Sequence, residues 1–181
     1  MSQFPLHTAD SAPQDSKPLL DNSRKAFGML PNLHAVMAEA PGLLAAYQQA
    51  HSLFQDSSFN DAELTVVWQS INVEHECHYC VPAHTAIANK AGVDPAITEA
   101  LRSGTALPEK LEALRTFTLK MVRQRGRVER EDIDAFTAAG YTKRQVLEII
   151  LGISQKVMSN YTNHIADTPV DAPFEQFAWS R

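Results

Sequence analysis

Two cysteines and one histidine stand at spacings that could do chemistry together. The segment Glu74-His75-Glu76-Cys77-His78-Tyr79-Cys80-Val81-Pro82-Ala83-His84 sets Cys77, Cys80 and His84 three and four residues apart. Those spacings return side chains to one helical face, within an arc of about 60°. Pro82 fixes where the helix starts, because a proline in the first turn removes only a backbone donor that had no partner. The pair is therefore expected to straddle a helix N-terminus. There the free N–H groups and the positive end of the helix dipole favour a thiolate, below the free thiol's pKa of roughly 8.5.

From one turn after Cys80, His84 can take the thiol proton and hold the resulting ion pair. Cys80 is then the activated sulfur and Cys77 the resolving one. Attack on a peroxide makes a sulfenic acid at Cys80, Cys77 condenses with it to a disulfide, and an external dithiol resets the pair. Two other readings compete. Cys77, Cys80 and His84 could be three ligands of a zinc site, but no second cysteine pair closes a tetrahedron, and the fourth ligand would have to come from Glu74, Glu76, His75 or His78. The cysteines could also be inert core, where free thiols are often buried.

Acidic residues upstream are candidates for a proton relay. Glu63 follows Asn60 by three, which is also the pattern of a helix cap, so a structural and a functional role compete there. Glu74 lies one turn before Cys77 and reaches it if that turn stays helical. Glu76 reads as a solvated surface charge. His164, within Asn160-Tyr161-Thr162-Asn163-His164, reads first as part of a satisfied polar cluster and second as a member of the site.

The elements that must position these groups are helical throughout. Apolar residues recur three and four apart in Leu33, Val36, Met37 and in Leu43, Leu44, Tyr47, with Pro41 at a helix start. Asp94-Pro95 after Gly92, and Gly104 with Pro108, mark further boundaries. Thr142 and Gln145 form a capping box before Val146, Ile149, Ile150 and Ile153. No period-two strand pattern occurs, so the expected class is all-α, with seven or more short helices in one domain over residues 18–181. Residues 1–17, rich in Ser, Asp, Gln and Pro, read as a flexible N-terminal arm. Sliding the chain by eighty residues superposes Val66-Val67 on Val146-Leu147 and His84 on His164, a weak internal duplication with chance alignment of helical segments as its rival. The second copy has Val157 and Asn160 where the first has its cysteines.

Composition limits the partners. The net charge of -5 offers no basic surplus for nucleic acid or an anionic membrane. No signal-like or membrane-spanning apolar run occurs, and the two cysteines are too few and too close for a secreted disulfide scaffold. A cytoplasmic location is the simplest expectation.

At Cys77-His78-Tyr79-Cys80-Val81-Pro82-Ala83-His84, preceded by Glu74-His75-Glu76, the sequence resembles the alkylhydroperoxidase D-like branch of the carboxymuconolactone decarboxylase superfamily. The resemblance begins near Leu30-Pro31-Asn32 and extends to Asn160-Tyr161-Thr162-Asn163-His164-Ile165-Ala166 and Thr168-Pro169. It implies an all-α alkylhydroperoxidase D-like fold, a homo-oligomer, no cofactor, and a peroxidase or disulfide-reductase activity served by a hydroperoxide and a dithiol or redox-protein donor. It also implies that Cys80 reacts with peroxide, Cys77 resolves and His84 relays a proton. A disulfide oxidoreductase or adaptor between protein partners is the alternative. The family's relay glutamate, twelve residues before the first cysteine, is replaced here by Thr65, leaving Glu63 and Glu74 as substitutes.

Overall fold

A computed structural model describes residues 4–181. Among them there are nine α-helices and no strand: α1 (Lys17–Phe27), α2 (Asn32–Met37), α3 (Pro41–Gln55), α4 (Asp61–Glu74), α5 (Cys80–Lys90), α6 (Pro95–Ser103), α7 (Glu109–Arg123), α8 (Arg130–Ala138) and α9 (Lys143–Ala166). Short 3-10 turns precede α1 and follow α9. The all-helical expectation holds, and the two predicted caps fall where the sequence put them. Asn60 accepts from the Glu63 N–H while Glu63 accepts from that of Asn60, and Thr142 and Gln145 make the same reciprocal pair.

Helix α4 is the centre. Every residue from Glu63 to Asn72 is buried, as expected of a helix surrounded on all sides by α5, α6, α7 and α9. On one side Val67, Ile71, Leu101, Leu114, Phe117 and Ile149 form an apolar core. Each fully buried side chain of this size contributes about 1.5–3 kcal/mol. On the other side Leu20, Met37, Leu44 and Tyr47 pack around the cysteines. Helices α3 and α9 cross closely at Gly152, where a Cβ would sit 2.9 Å from the Phe54 ring.

Residues 1–3 of the expected arm lie outside the described residues. Of the rest, His7, Ala12 and Ser16 are buried: His7 bonds through its backbone N–H to Ala35 O (3.2 Å) and through its ring to Glu39 (2.6 Å), and the Ser16 hydroxyl donates to Ala38 O (2.6 Å). These polar residues are spent on anchoring the segment to the end of α2. At the other end of the chain, residues 169–179 run beneath α5. Asp171 takes the Tyr79 hydroxyl (2.5 Å) and the Asn32 N–H (3.1 Å), and Arg102 holds the carbonyls of Phe177 (3.0 Å) and Ala178 (3.2 Å). No described helix is long and apolar enough to cross a membrane.

Candidate active site

The chain leaves helix α4 at Glu76, whose φ of +53° lies in the left-handed region that non-glycine residues enter rarely. Four residues later α5 begins at Cys80 itself, with Pro82 in its first turn. The first amides of α5 lean on Cys77: Cys80 N–H donates to the Cys77 sulfur (3.3 Å) and Val81 N–H to its carbonyl (3.1 Å). Three buried amide side chains then clamp the junction. Gln69 donates to Val81 O (3.1 Å), Asn72 to Gln69 (3.0 Å), and Asn160 of α9 to Asn72 (3.0 Å). His75, by donating to Asn160 (2.9 Å), fixes the same corner from the outside.

Both cysteines are free thiols and buried, Cys77 at 0% and Cys80 at 2% exposure. The Asn163 amide donates to the Cys80 sulfur at 3.2 Å, with the Cys77 sulfur at 3.8 Å. Burial works against a Cys80 thiolate, but the hydrogen bond from Cys77 and the positive charge of Lys156, aided by Asn160 and Ser159, outweigh it and bring the thiol down to about 6. Cys77, as donor in that bond and itself buried, is pushed up and keeps its proton. The two sulfurs are thus in unequal surroundings, which favour the anion on Cys80 over Cys77.

Lys156 is the residue that sequence reasoning missed. It is fully buried, with its Nζ 2.6 Å from His84 Nε2; burial pulls its pKa down and the charges of Cys80 and Cys77 push it back up, and as an ammonium it donates to that ring nitrogen. Burial and the Lys156 charge hold His84 neutral, well below the ordinary histidine range. Among the described residues no hydrogen bond joins His84 to either sulfur. A signal for Lys156 did exist. It falls on the row Ile149, Gly152, Lys156, Asn160, Asn163, whose spacing faces the core, so a lysine there had to be buried.

The acidic candidates lie elsewhere. Glu63 holds its cap and pairs with Lys110 (2.9 Å), and Glu74 makes two 2.7 Å bonds to Arg123. Neither is brought to the sulfurs. Glu76 is exposed and pairs with Arg181, and His164 is exposed. Among the described residues no group of three or more His, Cys, Asp or Glu is arranged to hold a metal.

Cys80, His84 and Lys156 line a chamber of about 40 Å³, closed by Tyr79, Tyr47 and Phe174. Beside it a cleft of about 620 Å³ opens between α1, α3 and α5, and Phe27, His34, Tyr47, His51 and Ile87 line both spaces. Rings pave the way inward. Successive centroids of Phe27, His34, Tyr47, His51, Trp68 and His84 are 5.4, 5.4, 6.2, 5.3 and 5.0 Å apart. Burial lowers His34 to about 4 and, with Lys156 adding to the effect, His51 to about 3, so these walls are neutral.

No protein-family model matches the sequence, and no curated protein does. Solved structures do. A peroxidase-related protein from Ralstonia eutropha JMP134, described as an alkylhydroperoxidase AhpD core, superposes with a TM-score of 0.85 at 20% identity, covering 96% of this chain and 94% of its own. The fold is that of the alkylhydroperoxidase D core. Two further structures share it. An uncharacterized peroxidase-related protein from Silicibacter sp. TM1040 has a TM-score of 0.79 at 19% identity, with 95% of this chain and 92% of that one covered. A cysteine-to-alanine variant of the debrominase Bmp8, in complex with 2,3,4-tribromopyrrole, has a TM-score of 0.79 at 18% identity, with 97% of both chains covered. On this fold the thiols of this chain face Lys156, Asn160 and Asn163 of α9.

Proposed function

We propose that this protein is a thiol peroxidase that reduces an organic hydroperoxide at Cys80. The observation that carries the reading is one buried sulfur supplied with an amide donor, a cation and a second thiol at the end of a cleft. The Cys80 thiolate attacks the terminal oxygen of the hydroperoxide, the O–O bond breaks, and an alkoxide leaves. That alkoxide takes a proton from the chamber wall, where His84 is the relay that the family resemblance implies. The Cys77 thiol then attacks the Cys80 sulfenic acid, a sulfur–sulfur bond forms and water departs. Two electrons have passed from the thiols to the peroxide, and an external dithiol returns them.

The cleft supports a substrate larger than hydrogen peroxide, with an aromatic or aliphatic body lying against Phe27, Tyr47 and Ile87. The burial of both sulfurs favours a small or slender reductant over a folded protein surface, which weighs against the role of adaptor between protein partners. Self-association belongs to the same reading, because Leu147, Ile150, Tyr161 and Ile165 of α9 remain 46–69% exposed.

The ring-paved cleft favours one second reading, reductive removal of halogen from an aromatic ring. There two thiols supply two electrons and halide leaves with a proton, the class of reaction named for Bmp8. One assay decides between them. Under a dithiol reductant the protein is offered cumene hydroperoxide or a brominated pyrrole, and peroxide loss and bromide release are followed. Peroxide turnover that vanishes in Cys80→Ser supports the first reading. Bromide release without peroxide turnover replaces it with the second, and neither signal above background defeats both.

A further inference from the structure

Lys156 is a buried cation without a carboxylate. The groups that face it are Cys80 and His84 of α5, Tyr47 and His51 of α3, and Cys77 before α5. His51 and His84 are neutral, and burial keeps the Tyr47 phenol protonated. The carboxylates of α4 and of the segment beneath α5 are committed elsewhere: Glu63 to Lys110, Glu74 to Arg123, and Asp171 to Tyr79 and Asn32. The Cys80 thiolate is therefore the anion that makes a buried ammonium tolerable at this position. A Cys77–Cys80 disulfide abolishes that anion.

We infer that Lys156 is the redox-linked proton carrier of the site, an ammonium while Cys80 is a thiolate and a neutral amine once the disulfide has formed. The inference rests on the reading of Cys77 and Cys80 as a reversible disulfide pair. The balance closes without outside protons. Thiolate, thiol, ammonium and hydroperoxide become disulfide, amine, alcohol and water. The Cys80 attack releases an alkoxide that takes the Lys156 proton, directly or across the 2.6 Å bond to His84, and the Cys77 proton leaves in the water. Reduction by a dithiol restores both protons. Turnover then needs no proton from outside at the moment of O–O cleavage. This also gives a physical reason why the site works with Thr65 in place of a glutamate: the proton is stored on a base of the opposite charge type, on a different helix.

The test is a proton count that needs no peroxide. The thiol–disulfide equilibrium is measured against a dithiol buffer at several pH values, corrected for the buffer's own protons, and the Cys80 thiolate is titrated by its ultraviolet absorbance. Above the thiolate's pKa the thiols alone release one proton per electron pair, a tenfold change in the equilibrium constant per pH unit. The unmodified protein is expected to release two, a hundredfold change. In Lys156→Arg the guanidinium keeps its charge in both states, so the thiolate stays and the count falls to one. In Lys156→Met the thiolate titration moves up, and the count equals the number of thiol protons titrated. A count of one in the unmodified protein overturns the inference, whatever the variants do. A disulfide that forms by mass but carries a count of one leaves the peroxidase reading standing, whereas failure of the disulfide to form removes both.

Discussion

Residues 60–90 and 142–166 begin alike and end differently. Both open with a reciprocal cap three residues long, Asn60 with Glu63 and Thr142 with Gln145, and both send a row of side chains into the same core. The first stretch breaks at Glu76 and restarts at Cys80, while the second runs unbroken through α9 to Ala166. The break places two sulfurs where free amide hydrogens converge. The continuous helix lays Lys156, Asn160 and Asn163 against that break from outside. The buried sulfurs thus come from an interrupted helix, and the lysine and amides that face them come from an intact one.

Removing the sulfur breaks the comparison most completely. Cys80→Ser is expected to lower peroxide turnover to background, whereas Cys77→Ser should retain one turnover and leave a sulfenic acid that a dimedone probe traps. Removing the charge comes next. Peroxide turnover in the unmodified protein should fall as pH drops through about 6, the value to which Cys80 is brought. In Lys156→Met that limb should move upward and turnover at neutral pH should drop about 10- to 100-fold, each tenfold corresponding to one pKa unit of thiolate lost. An unmoved limb would dissociate α9 from the thiol.

The neutral rings sharpen the contrast through stability. A histidine held below its unfolded value stays uncharged when folded, so the unfolded chain binds more protons below about 6.5 and stability falls as pH drops toward the folded value. With His34 at about 4, the loss approaches roughly 3 kcal/mol when the pH reaches that value. Urea unfolding at pH 7 and pH 4.5 measures it, and His34→Phe should flatten the slope. At the crossing of α3 and α9, Gly152→Ala forces a methyl against Phe54 and should cost about 1–3 kcal/mol, seen as a lower urea midpoint. The smallest effect is expected from the acids of α4. Glu74→Gln removes a partly exposed ion pair and should change stability by about 0–1 kcal/mol and peroxide turnover by less than about twofold. A large loss of turnover there would return the relay to α4.

Local signals were legible and long-range ones were not. Asn60, Thr142, Pro82 and the Cys-x-x-Cys-x-x-x-His spacing act within one or two turns, so the residues alone announce them. Glu74 stands one turn before Cys77 in sequence, yet α4 ends there and Arg123, from α7, takes its carboxylate. Thr65 showed that the expected acid was missing without announcing Lys156, which arrives beside His84 from a helix seventy-two residues beyond it. Its row on α9 pointed inward, but periodicity does not say which neighbour an inward side chain meets. The arm has contacts that composition does not announce, for a related reason: Ser16 and His7 are buried because particular carbonyls and carboxylates of the α2 region meet them.

The segment under α5 makes residues far along the chain part of the wall around the thiols. Phe174 forms one wall of the thiol chamber, Asp171 orients Tyr79, and Arg102 fastens the strap by two carbonyls while Trp179 bonds back to it (3.0 Å). A chain trimmed before Pro173 therefore loses a wall of the candidate site and should be controlled as an alteration of it.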